Sequence, residues 1–272
     1  MASLAYLVVG ILIFFISYKE LGVSATAILF GVLLLIYLWK RRAKILTRLA
    51  SQFYFIFGNV KMGGFLYSLA YKTGYMSPNC KISYSAFCLR ENMFELGEQL
   101  LNEVISSRRS AAPEKLNAKH NLAILLWKKG DLPSAISLME VVHKQQFNTP
   151  TYASLGVLYL EDAKKTGEYE KHLPFMIEAY EYNDEDKTIC DNLGELYILM
   201  NEFEKAKEVY ETLLKVNFIT PVPYYHYAQV LNALGDKEGA KQQLRKALSC
   251  KFTSVITITK EDVQKALAEL EN

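Results

Sequence analysis

Leu193-Gly194, Asn201, Ala206 and Tyr210 have counterparts 34 residues further on, in Tyr227-Ala228, Gly235, Ala240 and Leu244. An echo of that period constrains the fold more tightly than composition does, because about 34 residues make two short helices and a turn. Within 193–210, LGELYILMNEFEKAKEVY, apolar residues recur at helical spacing on both sides of Asn201. One such pair leaves an apolar face open to water. A second pair laid against it covers that face and opens another, so the unit is stable only as one course of a stack. The sequence therefore predicts an all-α helical-repeat solenoid.

Further copies run toward the N-terminus. Residues 149–186 carry Tyr152, Leu155-Gly156, Tyr159, Gly167-Glu168-Tyr169 and Ala179, and residues 116–148 carry Leu122-Ala123, Gly130-Asp131, Ala135 and Met139. Tyr84-Ser85, Asn92, Gly97 and Leu101 mark a degenerate copy, and Ala50-Ser51, Tyr54, Gly58, Gly63 and Tyr67 mark another. With Leu-Gly and Tyr in the first helix, Gly-Asp or its like at the turn and Ala early in the second helix, the chain resembles the tetratricopeptide repeat family. The resemblance covers about four fifths of its length. Two departures stand out in 149–186: an extra turn over 160–166, and His172 where the family has Ala, which should crowd the contact between helices or displace its helix. Lys260 to Leu270 reads as the polar-faced closing helix that such stacks need.

The first forty residues are of another kind. Ala2 to Tyr18 and Leu21 to Trp39 are free of formal charge, and the turn Lys19-Glu20 separates them, with Gly22 just after. Each is about long enough to span a bilayer. Tyr6, Tyr18, Tyr37 and Trp39 lie near the run ends, where amphipathic rings favour the headgroup layer. With no basic segment ahead of it and no small-residue cleavage site, the first run is expected to be retained. Lys40, Arg41, Arg42, Lys44 and Arg48 follow the second run, and such clusters stay on the cytoplasmic side. The expected organisation is a transmembrane hairpin over 1–43, a degenerate membrane-proximal helix pair over 44–77, the repeat solenoid over 78–252 and a capping helix within 253–272. The localisation expected is a multi-pass cell-membrane protein with its repeats in the cytoplasm.

Motifs for chemistry are missing. There is no GxxxxGK[ST], GxSxG or HExxH, so the sequence points away from an enzyme. A net charge of +2 implies no nucleic-acid surface. Cys80, Cys88, Cys190 and Cys250 have no CxxC spacing and read as core filling. His120, His143, His172 and His226 are spread over three repeats, so no cofactor and no metal site are expected.

What the family resemblance implies is a partner-binding groove, lined by residues two, five, nine and twelve places into each unit. In this chain those places give Ile82, Ala86 and Leu89, then His120, Ile124 and Trp127, then Ala153, Val157 and Leu160. Asp191, Glu195 and Ile198 follow, then Tyr225, Gln229 and Asn232. The groove would be apolar toward the membrane and acidic further out, suited to a protein or peptide segment that is apolar at one end and basic at the other. Some family members clamp the carboxylate terminus of chaperones with Lys and Asn five and nine places into their units; here those places hold His120 and Ile124, Ala153 and Val157, and Asp191 and Glu195, so the clamp is absent. The function implied is a membrane-anchored scaffold or adaptor for a protein partner. The alternative is a structural subunit of a larger membrane complex, with the groove permanently filled.

Overall fold

The computed structural model of the chain describes residues 2–215, 220–252 and 258–271, with side chains for all of these except 2–18, 20 and 21. Among the described residues there are thirteen helices and no strand. They are α1 (Ala2–Phe55), α2 (Val60–Lys72), α3 (Pro78–Arg90), α4 (Phe94–Ser106), α5 (Ala112–Lys128), α6 (Leu132–Gln145) and α7 (Thr149–Thr166). Then come α8 (Tyr169–Tyr182), α9 (Lys187–Leu199), α10 (Phe203–Leu213), α11 (Val222–Ala233), α12 (Lys237–Leu248) and α13 (Lys260–Glu271). Every repeated stretch is thus a helix pair, and the turn of each pair holds one residue with positive φ: Gly58, Asn92, Gly130, Gly167, Asn201 or Gly235. Glycine enters that region freely and asparagine tolerates it, which is why Asn201 and Gly235 occupy equivalent places. Asp131, Asn148, Asp186 and Asp236 accept backbone N–H bonds at the starts of α6, α7, α9 and α12, as helix caps do. The stretch from Ser106 to Glu114, which reads as a long loop, shortens to five residues, 107–111.

The contacts divide the chain into two compact units, residues 1–84 and 85–272, so α3 belongs to both. In the first unit, α1 is helical throughout except at Gly22 (φ 74, ψ 172), so the break falls there and not at Lys19-Glu20. Of the described residues, one helix, Gly22–Phe55, is long and apolar enough to cross a membrane. Large apolar side chains along it face outward: Val23, Ile28, Leu35 and Trp39 are each about two-thirds exposed. The expected first span, with Tyr6 and Tyr18, lies outside the described side chains. The end of α1 pairs with α2 through Gly63, where a Cβ would stand 3.0 Å from that of Tyr54. Tyr67, wholly buried, stacks on Tyr84 at 5.0 Å and shares a hydrogen bond of 2.8 Å with Ser51. The degenerate copy over 50–67 is therefore a packed helix pair.

In the second unit, each second helix packs on its own first helix and on the next one, and the first helices α5, α7, α9 and α11 touch in series. Leu193, Leu196, Ala206, Val209 and Tyr210 share one core with Tyr227, Val230, Leu231, Ala240 and Leu244, the two echoing pairs seen in the sequence. Val263 of α13, fully buried, closes that core. Cys88 and Cys190 are buried and their thiols are pushed up to about 12, chiefly by burial, so they are inert packing groups.

His172 does not crowd its contact. Its ring stacks on Tyr159 at 4.5 Å and its Nε2–H donates to Asp162 Oδ2 at 2.9 Å. Asp162 lies in the extra turn of 160–166, which α7 absorbs by running 18 residues. The two sequence departures thus compensate one another.

Of the described glycines, Gly194 makes the tightest approach between helices of one pair: a Cβ there would lie 2.7 Å from the ring of Tyr210. Gly194→Ala should destabilise the fold by about 1–3 kcal/mol through overpacking. Thermal melting checks this, and an unchanged midpoint contradicts it.

Candidate functional site

Four consecutive first helices contribute side chains to one groove of about 480 Å³. Trp127 comes from α5, and Val157, Leu160, Glu161 and Lys164 from α7. Lys187, Thr188, Asp191, Asn192 and Glu195 come from α9, and Val222, Pro223 and His226 from α11, with Thr220 just ahead of it. First helices supply this face because each is held from behind by its second helix, leaving the opposite side open.

Of the residues expected in a groove, Trp127, Val157, Leu160, Asp191 and Glu195 are brought together here. Leu160 is only 3 % exposed, so it forms the floor. Leu89, His120 and Ile124 do not line this groove. Ile124 packs on the core of α5 to α7, and His120 Nε2 pairs with Ser154 Oγ at 3.1 Å, its pKa pulled down by burial. Ile82 belongs to the first unit. Tyr225, Gln229 and Asn232 line a separate cleft of about 450 Å³ with Ala266, Glu269 and Leu270 of α13, so the chain's own closing helix stands over them.

The acidic end is not open negative charge. Lys164 Nζ is 2.7 Å from Glu195 Oε1 and 3.1 Å from Glu161 Oε1. Asp191 Oδ1 accepts from Tyr210 Oη at 3.0 Å and pairs with His226 Nδ1, also at 3.0 Å. His226 is 7 % exposed. Burial pulls its imidazole down, but Asp191 and Glu195 outweigh that, against opposition from Lys164, and its pKa is raised. The two acids expected in the groove are thus met by groups of the chain itself, Lys164 and His226. Asp191, Glu195 and His226 also form a set whose donor atoms all lie within 4.8 Å of one another, the one place among the described residues where the chemistry of metal ligation converges.

Lys164 and His226 escaped sequence reasoning. Lys164 sits in the extra turn, outside the family's register. Nothing in the sequence joins His226 to Asp191, 35 residues earlier.

The tetratricopeptide repeat family model matches residues 188–219 and 223–251. Comparison with curated protein sequences gives no match. Among solved structures, a tetratricopeptide repeat protein from Parabacteroides merdae aligns with a TM-score of 0.67 at 15% identity, over 85% of each chain. PilF of Pseudomonas aeruginosa aligns at 0.60 and 11%, over 85% of this chain and 99% of its own. A thermophilic repeat protein of Thermus thermophilus aligns at 0.58 and 17%, over 72% of this chain and 99% of its own. At such identities the likeness is one of fold: the chain has an all-helical, tetratricopeptide-type solenoid.

A histidine with a raised folded pKa holds its proton more tightly in the folded chain. Its contribution is full below the unfolded value and is lost as pH rises through the folded one. His226→Gln should therefore lower the melting temperature more at about pH 6 than at about pH 9. His120 and His143, both pulled down by burial, cancel in the comparison of the two proteins. A difference independent of pH contradicts the assignment.

Proposed function

We propose that this chain is a membrane-anchored repeat scaffold, with its solenoid on the cytoplasmic side, that holds a segment of a protein partner in the groove running from Trp127 to His226. The observation that carries this reading is the convergence of four successive first helices on one open groove. Its apolar wall, Trp127, Val157 and Pro223, suits an apolar side chain of the partner. Its polar wall, Asn192, Thr188 and the Lys164–Glu195 pair, suits backbone or side-chain hydrogen bonds. No catalysis is proposed.

Anchoring rests on the exposed apolar helix from Gly22. At 1.5 Å per residue, the stretch from Gly22 to Trp39 covers about 27 Å, close to the hydrocarbon thickness of a bilayer. Arg42 then stacks over Trp39 at 4.2 Å and over Tyr75 at 4.8 Å, a cation and aromatic girdle of the kind that marks a membrane boundary. The run ahead of Gly22 is assigned as a second span, which gives both termini to the cytoplasm. One observation favours the reading as a subunit of a larger membrane complex: Phe55, Ile56, Phe57 and Phe65 stand bare at the tip of the α1–α2 pair, each more than half exposed.

A photo-crosslinking residue at Val157 should yield a protein adduct in cells, while the same residue at Glu208 on a second helix yields none. In the same cells a membrane-impermeant thiol reagent should reach Cys250 only after permeabilisation. Equal adducts at both positions contradict the groove, and labelling of Cys250 in intact cells contradicts the topology.

A further inference from the structure

The polar end of the groove is more organised than partner binding requires. Asp191 and Glu195 stand one turn apart on α9, and His226 is brought to them from α11. The imidazole, nine-tenths buried, has its two nitrogens on different carboxylates. Nδ1 is hydrogen-bonded to Asp191 at 3.0 Å, while Nε2 faces Glu195 Oε1 at 4.0 Å, wider than a hydrogen bond. A carboxylate holding one ring N–H fixes the tautomer and leaves the other nitrogen's lone pair aimed outward, the usual way a protein orients a metal-binding histidine. Two metal–ligand bonds of about 2.0–2.2 Å at a tetrahedral angle set nitrogen and oxygen about 3.4 Å apart, so a slight closure of the gap suffices.

We infer that His226 and Glu195, oriented by Asp191, form a binding site for a divalent transition-metal ion of the zinc class, open to the groove at its remaining coordination positions. The mixed nitrogen and oxygen donor set suits zinc or cobalt and disfavours calcium and magnesium, which take oxygen donors alone. This goes beyond the reading of the groove as a partner-binding surface and stands or falls without it.

Lys164 is the group in the way. Its ammonium pairs with Glu195 at 2.7 Å, but Glu161 lies 3.1 Å from the same nitrogen and can keep it when Glu195 turns to the ion. The other groups around the site are Tyr210, whose hydroxyl is held by Asp191, and Lys187 on the groove wall. Binding requires the neutral imidazole, so the ion and the proton compete, and affinity rises with pH.

The test is titration of Co²⁺ into the untagged full chain, purified in mild detergent after chelation, with the visible ligand-field absorption as readout. One ion per chain with a low-symmetry band, displaced by Zn²⁺ and tighter at about pH 8 than at about pH 6, is the expected result. His226→Gln and Glu195→Gln should abolish the band. Asp191→Asn should keep it but weaken binding about 10- to 100-fold, as loss of an outer carboxylate does. Lys164→Met should strengthen binding by removing the competing cation. Absence of a band in the natural chain overturns the site whatever the variants do, and so does an unchanged band in folded Glu195→Gln. Crosslinking from Val157 is read separately, so loss of either result leaves the other standing.

Discussion

Each helix pair in this chain hides one apolar face and exposes another, and everything else depends on neighbours covering those faces. Tyr210 shows how close the fit is. It is wholly buried, its ring lies where a Cβ on Gly194 would be, and its hydroxyl reaches on to Asp191. Asn192 does the same between repeats, donating to the carbonyl of Ala153 at 3.1 Å while a Cβ on Gly156 would meet its amide. Small residues set the spacing, and polar groups that survive burial do so by tying one helix to the next. The rigid inner wall of first helices follows from this packing, and the groove follows from the wall.

The irregular repeat matters most for what the groove is made of. In 149–186 the extra turn of α7 carries Glu161, Asp162 and Lys164. Asp162 turns back to hold His172, so that a histidine fills the place of a small residue. Lys164 turns into the groove and pairs with Glu195, one repeat on. A repeat of regular length would lack both groups, and Asp191 and Glu195 would face the groove without a cation from α7. The inserted turn thus converts a plain wall into a balanced polar site beside an apolar one.

Much of this was legible in the sequence. The period of 34 gave the helix pairs and their turns, because left-handed Gly or Asn must recur wherever a tight turn recurs. The first-helix register gave Trp127, Val157, Leu160, Asp191 and Glu195, since those positions depend only on each helix facing its own partner. Register does not say which residue of one repeat meets which residue of the next. The contact to Asp191 comes from His226 and not Tyr225, and one residue rotates a helix by about 100°. Nor does it say what the end of the chain will cover, so Tyr225, Gln229 and Asn232 were read as open when α13 stands over them. In the apolar N-terminal segment the sequence suggests a break at the charged pair Lys19-Glu20. The backbone breaks just beyond that pair, at Gly22, because a helix carries Lys and Glu readily but yields where a glycine takes positive φ.

The central claim is that stability passes from pair to neighbouring pair. Hydrogen exchange on a chain ending at Leu214, which lacks α11 to α13, tests it most directly. Leu193, Val209 and Tyr210 would then lose the partners they have in Tyr227, Val230 and Leu231. The account predicts fast exchange in α9 and α10, with α5 and α6 protected as in the full chain. Equal loss of protection throughout the second unit, as in a globule with one shared core, or no loss in α9 and α10, would contradict it.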